Sequence, residues 1–391
     1  RLVNLIDKLR KEFKVSTKKE ILEKYSMDWG MLSPEISKHR KLPLAVVWLR
    51  DKDEVKKLIE LQKEEGFYIV ERGKGTNNLG GSMPIKENSV VVVPEMKSFH
   101  YENDTLVAEP AVEFNDLDVM SLPVFPTSYT MSTIGGFIAG GSFGIGTLKY
   151  GANWDNLLKV EVITPKGEYL LEGEDVKKVT HSRGTVGIIT KIWFKLVKRS
   201  KIKVKKYKLN SLSEAMDIVL KYVDTAEMIT IRNKKMAYEM SSLSVKGENE
   251  EWGKWNVIVG TQDEDGEELE AKDIVTTFAG SFSLPVTKKL RNFMNVVINI
   301  DSLGQLEKYD DYLIESDLIR AKGKVFAATF IVGFDKEPNI EGYKFNLHSY
   351  KVNDWLSSFS SLLKDNRLKM IIDFKRQVDP EDFMNPGKLD F

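Results

Sequence analysis

Glu71-Arg72-Gly73-Lys74-Gly75-Thr76-Asn77-Asn78 follows the apolar run Phe67-Tyr68-Ile69-Val70. The run reads as a buried strand. Gly73 and Gly75 let the backbone take conformations closed to other residues and approach a ligand closely. A turn of this kind points successive N–H groups at one anion, forming a nest suited to phosphate. It is not a Walker A loop, because no Gly-Lys-Ser/Thr closes a four-residue spacer, and not a G-x-G-x-x-G fingerprint, because Asn78 stands at the third glycine. Taken alone, the loop leaves an ordinary strand-to-helix turn open. A second glycine-dense stretch, Thr133-Ile134-Gly135-Gly136-Phe137-Ile138-Ala139-Gly140-Gly141-Ser142-Phe143-Gly144, is longer than a turn needs. Two such loops point to a long, bent, diphosphate-bearing cofactor.

Outward from these loops, the chain alternates strand and helix from Pro43. Asp53 or a neighbour is placed to cap a helix carrying Val55, Leu58, Ile59 and Leu61. Val90 to Val93 is a short buried strand, and Val160 to Leu171 reads as a hairpin around Pro165-Lys166-Gly167. Residues 1–42 read as helical and polar. Beyond the basic stretch Lys198 to Lys208, taken as a solvated edge strand, candidate strands are 228–232, 255–260 and 325–333. Candidate helices there are 212–222, 267–278 and 353–364. Helices over an antiparallel sheet make an α+β layout. The acidic stretches 245–253 and 263–267 read as solvated turns.

With 391 residues the chain is long enough for two domains. Lys plus Arg and Asp plus Glu number 58 each, so charge gives no argument for nucleic acid or a membrane surface. No apolar run approaches the roughly 18 residues of a membrane span. No charged-then-apolar leader opens the sequence, and the expected location is cytoplasmic. The absence of cysteine excludes disulfides, thiolate metal sites and iron–sulfur ligation.

Six segments, in order, resemble the FAD-binding type 4 (PCMH, vanillyl-alcohol-oxidase-like) flavoprotein family. They are Pro43 to Val55, Arg72 to Asn77, Thr133 to Gly136 with the glycines after it, and Tyr150-Gly151-Ala-Asn-Trp-Asp155 to Val160. The last two are Ser182-Arg183-Gly184-Thr185-Val186-Gly187-Ile188-Ile189-Thr190 and the tail Asp379-Pro380 to Asn385-Pro386-Gly387-Lys388. The layout is most similar to the D-lactate dehydrogenase and glycolate oxidase FAD-subunit branch. The resemblance implies a two-subdomain FAD-binding domain over residues 1–200, with its core at 43–197. A substrate or cap domain of antiparallel sheet and helices follows over 201–372, and a tail over 373–391 returns to the FAD side.

The same resemblance implies that Arg72, Gly73, Lys74, Gly75, Thr76 and Asn77 hold the FAD diphosphate. Thr133, Ile134, Gly135, Gly136, Gly140, Gly141, Ser142 and Phe143 line the other side, and Ile188 and Ile189 offer backbone contacts. Relatives with covalent FAD on the first loop use a histidine near the positions of Thr76 and Asn77, so non-covalent FAD is expected here. The implied reaction oxidises the CH–OH group of a small 2-hydroxy acid by hydride transfer to flavin N5. Electrons then pass to a partner protein or a quinone rather than NAD. A sugar, alditol or aldonolactone oxidoreductase, or an accessory FAD subunit of a redox complex, is the alternative.

The branch's His-rich metal stretches are absent, and His39, His100, His181 and His348 are isolated in sequence, so no metal is expected. His181, beside the segment expected near the flavin, is a candidate base. Arg183 is a candidate clamp for a substrate carboxylate. Arg232, Tyr312 and Arg320 are further substrate candidates.

Overall fold

The computed structural model describes residues 2–244, 250–262 and 265–391. Its first sheet contains β1 (Lys14–Ser16), β2 (Ala45–Leu49), β3 (Tyr68–Glu71) and β4 (Ser89–Pro94), in the order β1-β2-β4-β3. β2, β3 and β4 are parallel and mostly buried, which is why they read as continuous apolar runs rather than alternating ones. The helix Lys52–Glu65 crosses between β2 and β3. Asp51, not Asp53, caps it by accepting from Glu54 N at 2.8 Å. Gly66, at φ 79°, ends it in the left-handed region that favours glycine. Its Val55, Leu58 and Ile59 pack with Leu5, Ile6 and Leu9 of the helix Leu2–Glu12.

Residues 1–42 are not all helical. β1 pairs antiparallel with β2, Val15 opposite Val47. Three residues carry too little pattern to signal a strand; the exposed edge of β2 supplies the template.

The second sheet is antiparallel throughout. Its strands are β5 (Phe99–Glu102), β6 (Thr105–Ala108), β7 (Leu157–Thr164), β8 (Gly167–Glu172) and β9 (Ile188–Lys195), in the order β5-β6-β9-β7-β8. β7 and β8 form the hairpin around Pro165-Lys166.

The third sheet is also antiparallel. It contains β10 (Lys203–Leu209), β11 (Met228–Asn233), β12 (Trp255–Thr261), β13 (Glu267–Glu268), β14 (Phe293–Asn299), β15 (Leu313–Ala321), β16 (Lys324–Val332) and β17 (Tyr343–Phe345). Their order is β13-β10-β12-β11-β15-β16-β14-β17. One face carries Ile229, Ile231, Val257, Val259, Ile314, Leu318 and Ile331, packed with Leu212, Ala215 and Val219 of the helix Leu212–Tyr222.

The opposite face is set by register. Asn295, Phe330, Glu315 and Arg232 form one cross-strand row, and Val297, Ala328, Asp317 and Thr230 the next. Because side chains alternate along a strand, Glu315 and Asp317 point the same way.

The helix expected over 267–278 is shorter, Ile274–Phe278. Glu267 and Glu268 instead pair with Val204 and Lys203, and Lys201 holds Glu268 at 3.0 Å. The basic strand β10 therefore has a neighbour on each side, although β13 covers only two of its residues. Lys206 and Lys208 pair with Glu250 and lie over the Trp252 ring. Of the expected acidic turns, 245–249 and 263–264 lie outside the described residues.

Candidate active site

The first glycine loop, the second glycine loop and the far face of the third sheet enclose one cavity of about 510 Å³. The loop Gly73–Asn77 forms part of its wall. Arg72 N is engaged, donating to Val92 O at 2.9 Å. Among the described residues, no protein acceptor takes the N–H groups of Gly73, Lys74, Gly75, Thr76 or Asn77. Buried or half-buried residues, as Gly73, Gly75, Thr76 and Asn77 are, rarely leave backbone donors without partners, so this group marks an anion cradle.

The glycines are required by fit. A Cβ on Gly75 would stand 2.2 Å from the Arg72 guanidinium, and Gly75 has φ 69°. A Cβ on Gly73 would stand 2.8 Å from Thr133 Oγ1, where the two loops meet. Arg72 is fixed beneath the loop by the Met27 carbonyl and by the Tyr25 ring, 5.0 Å away.

The second loop is a helix, Ile134–Gly140, capped by Thr133, whose Oγ1 accepts from Gly136 N at 3.2 Å. Its first amides are engaged: Ile134 N donates to Val112 O and Gly135 N to Pro110 O, each at 2.9 Å. Thr133, Gly135, Gly136, Gly140, Ser142 and Phe143 line the cavity.

Ile134 and Gly141 do not. Ile134 faces the core. Gly141 is the helix's left-handed C-cap, and a Cβ there would sit 2.2 Å from His181 Nδ1. Ile188 and Ile189 also stay off the cavity; they lie in β9 opposite Ile163 and Val162. Arg183 and Gly184, just before that strand, reach the cavity instead.

Arg183 is 5% exposed and has φ 49°, a conformation unusual for a side chain of its size. Its N–H donates to Ala139 O at 3.0 Å, and its carbonyl accepts from Asn385 Nδ2 at 2.6 Å. The guanidinium lies 5.8 Å from the Trp355 ring centre, and Nε and Nη1 have no protein partner. Burial lowers its pKa to about 10, so it stays cationic at neutral pH. Glu71, at the loop's start, also lines the cavity, and burial pushes its carboxyl up to about 8.

His181 is not in the cavity. It is fully buried between Trp154 and Phe359, with ring centres at 4.9 and 4.8 Å. Its Nε2 accepts from Arg367 Nη1 at 2.7 Å. Burial, then Arg367, Arg183 and Lys177, hold its pKa well below 6.5. A base role for His181 is therefore corrected: the ring meets protein on all sides rather than a ligand.

Arg232 is also withdrawn from the cavity. Its Nε donates to Glu315 Oε1 at 2.6 Å, and Nη1 and Nη2 donate to Thr276 O and Ala279 O at 3.0 Å each. Tyr312 donates its hydroxyl to Lys336 O, and Arg320 donates to Leu148 O and Val223 O, both away from the cavity. In their place the sheet presents Asn295, Glu315, Asp317 and Phe330, which sequence reasoning missed. The available signal was two acids two residues apart in the otherwise apolar run Leu313-Ile-Glu-Ser-Asp-Leu-Ile.

The tail closes the floor. Asn385 N donates to Ile69 O at 2.7 Å, and Asn385 Nδ2 donates to Gly81 O at 2.8 Å. Lys388 Nζ donates to Gly80 O and Met83 O at 2.6 and 2.8 Å. Among the described residues, no group of three or more His, Asp or Glu could hold a metal, and no helix is long and apolar enough to cross a membrane.

Residues 43–171 match the FAD binding domain family. Over 184 residues it is 30% identical to glycolate oxidase subunit GlcD of Bacillus subtilis, covering 42% of this chain and 39% of that protein. Over 169 residues it is 28% identical to D-lactate dehydrogenase of Archaeoglobus fulgidus, covering 39% and 38%. The matched part thus spans about two fifths of those relatives' length. The fold is that of alkyldihydroxyacetonephosphate synthase, with a TM-score of 0.71 at 15% identity over 98% of this chain and 86% of that one. It is also that of p-cresol methylhydroxylase, with a TM-score of 0.67 at 15% identity over 99% and 96%. The cradle fits the diphosphate of FAD: its amides are unclaimed, and its glycines leave room that any Cβ would fill.

Proposed function

We propose that this chain, whose residues 43–171 match the FAD binding domain family, is an FAD-dependent oxidoreductase acting on the CH–OH group of a small 2-hydroxy acid. The unclaimed amides of Gly73 to Asn77 at the cavity wall carry the reading. In it, Arg72 to Asn77 hold the diphosphate, and Thr133, Gly135, Gly136, Gly140, Ser142 and Phe143 bound the other side. Residues 1–200 form the FAD-binding domain, 201–372 the substrate domain, and 373–391 the tail that braces the first. The cofactor is held without a covalent bond, since neither Thr76 nor Asn77 offers a nucleophilic ring nitrogen. When bound, FAD supplies the electron acceptor that the side chains lack.

Arg183 anchors the substrate carboxylate. Its buried Nε and Nη1 have unused donor capacity, and a charge-assisted guanidinium–carboxylate hydrogen bond is among the strong ones. Phe330, Phe345 and Trp355 keep water from that end of the cavity. The electrons leave to a partner protein or a quinone, and the location is cytoplasmic. A neutral sugar or alditol is the second reading, favoured by the Asp317 carboxyl on the sheet wall, a hydrogen-bonding partner for a hydroxyl group.

An anaerobic visible spectrum of the FAD-loaded protein, before and after D-lactate, glycolate and a panel of sugars and alditols, tests both readings. Bleaching by a hydroxy acid supports the first and bleaching by a neutral polyol the second. Failure to bind FAD on reconstitution sinks them together.

A further inference from the structure

With His181 sealed in the core, a group that takes the hydroxyl proton must be sought among those the cavity presents. We propose that Asp317 is that catalytic group, a carboxyl contributed by the second-lobe sheet; the inference rests on the oxidoreductase reading above.

The other acids on the cavity are committed or misplaced. Glu315 accepts from Arg232 Nε at Oε1 and from Ser281 Oγ at Oε2, each at 2.6 Å, so each oxygen already has a fixed protein partner and its charge faces a guanidinium. Glu95 pairs with Lys14 at 3.0 Å. Glu71 belongs to the first loop, beside Gly184. Asp317 is half-buried on the cavity face, with Thr230 and Glu315 as hydrogen-bonding neighbours.

The Thr230 contact gives a proton on Asp317 a place to point. Thr230 Oγ1 lies 2.6 Å from Phe278 O and 2.8 Å from Asp317 Oδ1. A hydroxyl has one hydrogen to donate. The Phe278 carbonyl can only accept, so if it takes that hydrogen the second contact closes when Asp317 is the donor. The pair is thus a ready resting place for a proton.

The surroundings agree. Arg232 and Thr230 face Asp317 from β11 and Glu315 from its own strand, while Ala328 and Val297 beside it are apolar. Burial first, then the Glu315 charge, raise the Asp317 carboxyl well above the ordinary carboxylate range. A carboxylate of raised pKa is the stronger base, and a base matched to the working pH is the effective one. In the step, a carboxylate oxygen of Asp317 would take the O–H proton while the C–H hydrogen and its electron pair leave to the acceptor that FAD would supply, so that the C–O bond becomes C=O. No further oxidant is needed. The same wall repels a second carboxylate, so an acidic donor turns its carboxylate toward Arg183 and its hydroxyl toward Asp317.

The test is anaerobic stopped-flow reduction of the FAD-loaded wild type, Asp317→Asn and Glu315→Gln from pH 5 to 10, with D-lactate, glycolate and the sugar and alditol panel. Wild-type reduction should accelerate with pH as Asp317 ionises. Asp317→Asn should slow it at least about 100-fold and abolish that pH limb. Glu315→Gln should move the limb to lower pH by removing the neighbouring negative charge. Flavin occupancy and thermal unfolding of each variant exclude loss of fold. Carbon-13 aspartate NMR supplies a readout independent of turnover: a carboxyl that titrates above the ordinary range and vanishes in Asp317→Asn is expected. Reduction of Asp317→Asn at a rate comparable to wild type, or a normal Asp317 titration, overturns the proposal while the oxidoreductase reading stands. A wild type bleached by no donor overturns that reading and the proposal with it.

Discussion

The Asn385 side-chain amide donates to the Arg183 carbonyl oxygen at 2.6 Å, across 202 residues of chain. The same amide also donates to Gly81 O, just past the first glycine loop. One buried amide therefore ties the tail, the cradle region and Arg183. It holds Arg183 at φ 49° with its guanidinium turned to the cavity.

Replacing Asn385 with Ala leaves both carbonyls buried without their donor. Loss of about 1–3 kcal/mol of stability is expected, with weaker FAD retention. Urea unfolding and flavin occupancy measure the two effects; wild-type values for both would show that the amide is dispensable.

Gly75→Asp drives a side chain into the Arg72 guanidinium at a position with φ 69° and adds negative charge to the cradle. Flavin occupancy after reconstitution should collapse. Unchanged occupancy would remove the first loop from the diphosphate site.

Arg183→Gln should keep FAD but raise KM for a carboxylate donor about 10- to 100-fold, as expected for losing a charged hydrogen-bonding partner. KM for a neutral polyol should not move. An equal rise for both donors would mean that Arg183 shapes the cavity without reading charge.

His181 makes stability depend on pH. Its folded-state pKa is held well below the ordinary 6.5 by burial and by Arg367, Arg183 and Lys177. Below pH 6.5 the unfolded chain binds a proton that the folded chain refuses. Stability present above 6.5 is therefore lost as pH falls, with a slope approaching about 1.4 kcal/mol per pH unit. Denaturant melts from pH 7.5 to 5 should show this component in wild type and lack it in His181→Gln. Identical slopes would refute it.

Acid precipitation of the holoprotein should leave the flavin in the supernatant. Yellow colour retained in the pellet would show a covalent bond that neither Thr76 nor Asn77 explains.

What the sequence made legible was local. Gly73 and Gly75 betray a tight backbone wherever they occur. The strand Lys324–Val332 and the helix Val352–Leu363 carry their own patterns, and each was read to within a residue. The substrate wall was not local. Arg232, Glu315, Phe330 and Asn295 share a row only because β11, β15, β16 and β14 pair in that register. Arg232 looked free in sequence because Glu315, 83 residues away, is invisible from it. His181 looked like a loop histidine because Trp154 and Phe359, which enclose it, come from distant segments. Partner-dependent burial decides which polar residues face a ligand, and one sequence does not record partners.

The Asn385 clamp also sets an order of events during synthesis. Gly81 emerges from the ribosome 304 residues before Asn385. At about 5–20 residues per second, that is an interval of about 15–60 s. Throughout it the cradle loop lacks its brace, and a nascent chain can present the glycines but not the finished floor. FAD captured early would be held by an open hand; the grip closes only when the tail arrives.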